Sequence, residues 1–190
     1  MRVIPWLLTV VGTIWATGNL ALLIVATALF SWAPPKGDLL SRAAAGAAFG
    51  TVLERWSAVT TLLMLITMCA VGWCGIIAWR REWRGRAIAL AAAVTLTVII
   101  HTTCQQTIVT VNHMGVGIRE LRAKPDTDPK VLASLEERFA KFHSASEVWF
   151  SLETLIGLSL LLGGSIALFR QTQTSAQAPA PASTPSKAKA

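Results

Sequence analysis

His101 and Glu153 are the residues best suited to chemistry in this chain, because each lies in a stretch otherwise almost free of ionisable side chains. An acid facing an imidazole in an apolar medium gives each a partner, and histidine is the side chain that titrates nearest neutral pH. Polar groups at such depth are costly and tend to mark function. Gln105 follows His101 by four residues and Asn112 comes seven later, so at helical spacing the three share a face. Gln106, Thr110 and His113 form the adjoining stripe. Asn19 lies near the middle of the first apolar run. The predicted ligand-binding set is His101, Gln105, Glu153 and Asn19, with a second, shallower cluster of His113, His143, Glu147 and Gln106.

Other chemistries find less support. Met64, Met68 and Cys69 on one stretch, with His101 and Cys104 on another, offer soft sulfur and imidazole of the kind Cu(I) takes, and two imidazoles can hold a haem. Yet there is no Cys-x2-Cys, no His-x3-His and no haem-attachment motif. No cofactor is predicted; a haem- or copper-binding oxidoreductase or metal carrier stands as the alternative. A phosphate loop, a Gly-rich nucleotide turn and a Ser-His-Asp context are also absent, so nothing in the sequence compels an enzyme. The three cysteines, Cys69, Cys74 and Cys104, all fall in apolar runs and read as small buried hydrophobes, not as a disulfide framework.

The elements that must position these groups are four long apolar runs. No Asp, Glu, Lys, Arg or His lies between Arg2 and Lys36 or between Arg55 and Arg80. Between Arg86 and Arg119 there are only His101 and His113, and between Glu147 and Arg170 only Glu153. About 20 apolar residues suffice for a helix to cross a bilayer, and each run is long enough. The composition agrees: 53% hydrophobic and 14% charged residues, with mean hydropathy +0.54, is far from that of a soluble domain. The fold predicted is all-α, an integral membrane four-helix bundle whose helices outlast the bilayer on the outer side.

The first helix is expected over Ile4 to Trp32, ended by Pro34-Pro35, and is too long for a signal peptide. The second is expected from Leu39 to Trp79, the third from Ala87 to Arg122, and the fourth from Val131, with its span at Val148 to Phe169. This gives a membrane domain over 1–170 and, over 171–190, an Ala/Pro/Ser/Lys tail expected to be disordered. Folding the last two helices about the segment Ala123 to Lys130 sets His101 level with Leu152 and Glu153, Gln106 with Glu147, and Thr110 with His143. Gly46 and Gly50 put small residues on one face, a site for helix packing or for contact with a second copy or another membrane protein.

A net charge of +7 has no basic helix or aromatic platform behind it, so lipid headgroups are the expected counter-ions and nucleic acid is not. Of 17 basic residues, eight fall on the side with both termini and nine on the other, a split without information. Arg80, Arg81, Arg84 and Arg86 lie within seven residues beside span ends, however, which predicts a bacterial inner-membrane protein with both termini cytoplasmic.

Three pieces of this layout resemble the transmembrane protein 205-like family of membrane domains. They are Ala28-Leu29-Phe30 leading into Leu40-Ser41-Arg42-Ala43-Ala44-Ala45-Gly46, then Gly117-Ile118-Arg119, and Arg138-Phe139-x3-His143-x2-Ser146. The resemblance covers roughly Pro5 to Arg170 and implies a compact four-helix membrane domain, with His143 as its recurrent polar residue and no assigned activity. The double proline and Glu153 depart from that pattern. A likeness in four-helix layout alone extends to copper-resistance and haem-binding membrane proteins. The function expected is therefore the binding of a small ligand or ion, or the docking of a partner, through a polar interior on helices 3 and 4. A structural assembly subunit is the further alternative.

Overall fold

The computed structural model describes residues 3–32 and 39–176, which form four helices: α1 (Val3–Trp32), α2 (Leu39–Arg80), α3 (Arg84–Arg122) and α4 (Pro129–Ala176). The protein is an all-α bundle, and each helix is long and apolar enough to cross a membrane. The ends of α1, α2 and α3 fall within three residues of those expected, whereas α4 starts two residues earlier and runs on to Ala176, six residues past the expected domain limit at 170. The expected break at Pro34-Pro35 and the tail over 177–190 lie outside the described residues.

The helices form a ring in which α1 packs on α2 and α4, and α3 on α2 and α4; among the described residues only side chains, not backbones, meet across the diagonals. Neighbours run antiparallel. The α1–α4 seam is the closest, and glycine is the reason: a Cβ on Gly157 would stand 2.8 Å from the Ala16 nitrogen, and one on Gly164 would stand 2.7 Å from the Thr9 nitrogen. Gly12 faces the backbone of Gly157 and Leu161 in the same way. In lipid no hydrophobic force draws helices together, so close backbone approach supplies the attraction. The α1–α2 seam is the loosest of the four. Around the core of Val11, Trp15, Leu63 and Met64, large apolar side chains such as Leu23, Ile24, Leu62, Ile99 and Leu162 face outward. An apolar exterior of this kind suits acyl chains.

Local signals explain the two short turns. Glu82 sits at φ 63°, its amide bonding the Trp79 carbonyl and the Trp83 amide bonding that of Ala78, so that α2 ends in a left-handed cap at a residue other than glycine. Arg81 and Arg86 stack on Trp83 and Arg84 on Trp79, with 5.6, 4.7 and 5.8 Å to the ring centroids. At the other end Asp128 caps α4: its Oδ1 accepts from the Lys130 amide at 2.8 Å, with Pro129 in the first helical position. Arg122 grips Glu136 through Nε and Nη2 at 3.1 and 2.7 Å, joining α3 to α4 beside that turn.

Candidate functional site

His101 and Glu153 meet. His101 Nδ1 lies 2.6 Å from Glu153 Oε1, and the two residues are 2% and 1% exposed. The hairpin register set by the α3–α4 turn brings them level, and Trp15 closes over the imidazole edge-on at a centroid distance of 6.0 Å. Cys104, fully buried, lies beside the same carboxyl group.

The far side of the ring fixes the protons. Thr61 Oγ1 donates to the Ser57 carbonyl at 2.8 Å, as hydroxyls in helices do, and a hydroxyl has one proton to give. With that proton committed to the carbonyl, its oxygen, 3.1 Å from His101 Nε2, is placed to accept, the arrangement in which Nε2 carries the ring hydrogen. At 2.6 Å, one further proton shared between Nδ1 and Oε1 would satisfy both atoms. On oxygen it makes imidazole and carboxylic acid; on nitrogen, imidazolium and carboxylate. Either arrangement has no net charge, and only removal of that proton leaves a bare charge where the cost of burial is highest.

Two more sets of bonds brace the pair. Gln105 accepts from Ser57 Oγ and donates to Thr60 Oγ1 at 3.3 Å, which ties α3 to α2 one turn from His101. Asn19 accepts from Trp56 Nε1 at 2.8 Å and donates to Thr154 Oγ1 at 3.1 Å, which ties α1 to both α2 and α4. The four residues of the predicted deep set thus lie in adjoining bonded groups joining all four helices. Their partners Trp15, Trp56, Ser57, Thr60, Thr61 and Thr154 are not among the residues the sequence singles out. The hydroxyl cluster Ser57-x2-Thr60-Thr61 opposite a polar helix is a legible signal; the two tryptophans give none beyond apolar bulk.

The second predicted cluster is not gathered. His143 and Glu147 approach within their own helix, Nε2 to Oε1 3.5 Å, and His143 stacks on Phe139 at 5.7 Å. His113 and Gln106 face outward on α3 instead, because their stripe lies a third of a turn away from the one that meets α4. The Gly46 and Gly50 reading also divides: a Cβ on Gly50 would meet Asn112 at 3.0 Å, while one on Gly46 would have nothing within 4 Å. Gly46 is no internal packing contact. Of the cysteines only Cys104 is buried; Cys69 is exposed and Cys74 partly so.

Both glycines line an open-sided cavity of about 650 Å³ between the four helices at the end away from the arginine turn. Its floor is formed by Leu22, Leu53, Ile108 and Phe150. Each stands three residues from a member of the polar groups below: Asn19, Trp56, Gln105 and Glu153 respectively. The vestibule therefore ends about one turn from Glu153 along α4 and about two turns from His101 along α3.

Both ring nitrogens of His101 are engaged, His113 and His143 are exposed, and no group of three or more His, Cys, Asp or Glu side chains that could hold an ion gathers among the described residues. Met64 turns into the core while Cys69 turns out, which separates sulfur atoms that are close in sequence. No family model, no curated protein and no solved structure matches the chain.

Proposed function

We propose that this multi-pass membrane protein binds and releases a proton at the His101–Glu153 pair, with Gln105 and Asn19 holding the surrounding helices in register. The observation that carries this reading is the 2.6 Å contact between an imidazole and a carboxyl group that are both almost fully buried. A pair that is neutral with its shared proton and charged without it converts proton binding into a change of charge between four helices. Such a change alters the cost of a closed interior, and that is the physical basis for coupling the proton to a solute or a conformational step.

The site belongs, in this proposal, to a bacterial inner-membrane protein with both termini in the cytoplasm. The arginine-rich turn between α2 and α3 supports that orientation, since four antiparallel helices put the start of α1 and the end of α4 on the same side as that turn. Membership of the transmembrane protein 205-like family is part of the same reading.

The test is an infrared pH titration of the protein in bilayers. A pH-dependent band of the pair, carboxyl or hydrogen-bonded carboxylate, that disappears in Glu153→Gln and shifts in His101→Asn is the expected result. Bands identical in the parent and both variants contradict the proposal.

A further inference from the structure

The vestibule makes a demand of its own. Its walls are apolar, with Phe30 and Phe49 meeting edge-on at 6.2 Å and Phe139 beside Gly115, yet Arg119 lines it as well. Arg119 is half-buried and no carboxylate lies within ion-pair distance of it among the described residues. Of the two carboxylates on the cavity lining, Glu147 is approached by His143, and Glu54 is exposed. A guanidinium withdrawn from water without a counter-charge is unfavourable unless an anion reaches it.

Placement identifies the kind of anion. Arg119 and Ile108 lie eleven residues apart on α3, hence on one face, with about 16 Å between the cation and the apolar floor. Ile108 stands about 33 Å along the helix from Arg86, at the far limit of a hydrocarbon layer of about 30 Å, and Arg119, about 16 Å further on, lies past the headgroups on the aqueous side. A tail reaching the floor would point toward the hydrocarbon, with a charged head at Arg119 on the aqueous side. The α1–α2 seam, the loosest in the ring, adjoins the cavity through Leu23, Thr27 and Gly46. The volume falls in the range of about 300–1,000 Å³ typical of small-molecule sites.

We propose that the vestibule binds a single-chain amphiphile with an anionic head, its carboxylate or phosphate held by Arg119 and its tail directed toward Leu22, Leu53, Ile108 and Phe150. This site is separate from the proton-binding pair, and either can fail without the other.

Equilibrium binding to the full chain in neutral-lipid nanodiscs tests it, using a spin-labelled long-chain fatty acid, a spin-labelled lysophosphatidate and the fatty alcohol of equal length. Saturable binding of either acid in preference to the alcohol is expected, and the acid that binds identifies the head group. Arg119→Gln should weaken that binding about tenfold, the loss of a charged hydrogen bond. Gly46→Leu should abolish it while leaving thermal stability unchanged or improved, because Gly46 faces open space and leucine is the better helix former. No saturable binding, equal binding of the alcohol, or binding unaffected by both substitutions overturns the proposal. So does a change of oligomeric mass in Gly46→Leu without loss of amphiphile, which would assign the groove to a second copy of the chain.

Discussion

Gly157 of α4 lies against Ala16 of α1 so closely that a single added carbon would stand 2.8 Å from a backbone nitrogen. The contact cannot relax by turning a flexible side chain, because the opposing atom is main chain. Gly157→Val should therefore force the helices apart, with a loss of about 1–3 kcal/mol or more from overpacking. Gly46→Ala, where a Cβ meets nothing, should instead gain about 0.5–1 kcal/mol. Thermal unfolding of the two variants in the same detergent checks the contrast; similar effects at the two positions would show that the α1–α4 seam is looser than described.

The His101–Glu153 bond predicts strong coupling. Glu153→Leu leaves an imidazole buried without one of its partners, and His101→Leu leaves a buried carboxyl group likewise, so each should cost about 1–3 kcal/mol. The double replacement removes both needs and should cost less than the two single losses combined, with a coupling energy of at least about 1 kcal/mol. A double-mutant cycle on reversible unfolding in mixed micelles measures it. Additive losses would mean that the two side chains do not interact.

These sites are legible in the sequence to different degrees, for physical reasons. The four spans can be read because lipid forbids frequent charge, and the His101–Glu153 register follows because a short turn fixes an antiparallel hairpin. The outer cluster fails to form because the helical face of His113 and Gln106 diverges from the one α3 turns to α4. Spacing points to Gly46 and Gly50 for packing, whereas Gly12, Gly157 and Gly164 carry the tightest seam. Glycine spacing within one helix marks a smooth face but does not say which helix will cover it. The network partners of Asn19 and Gln105 depend on how α1 and α2 meet the other helices, and no stretch of sequence sets that register as the α3–α4 turn sets its own.

Asp128 terminates the free amides of α4 by accepting from Lys130 at 2.8 Å. Asp128→Ala should cost about 1 kcal/mol, and Asp128→Asn much less, since the amide oxygen can accept the same bond. Thermal denaturation in detergent distinguishes them, and equal losses would show that charge, not capping, is what matters there.

Glu82 holds a left-handed conformation at φ 63°, which side chains other than glycine adopt at a cost of about 1–2 kcal/mol. Glu82→Gly should raise the stability of the α2–α3 turn by a comparable amount while retaining the arginines beside it. Unfolding midpoints measured for this variant and for Glu82→Ala separate backbone relief from loss of charge; the alanine variant should gain nothing.

The most direct measurement of the central claim is the nitrogen NMR spectrum of His101 in bilayer-embedded protein labelled with ¹⁵N-histidine. Only three histidines contribute, so substitution of His113 and His143 isolates the signal. A protonated Nε2 that responds to Thr61→Val, with an Nδ1 resonance that moves on Glu153→Gln, is the predicted result. An Nδ1 signal indifferent to Glu153 would contradict the shared proton on which the proposed function rests.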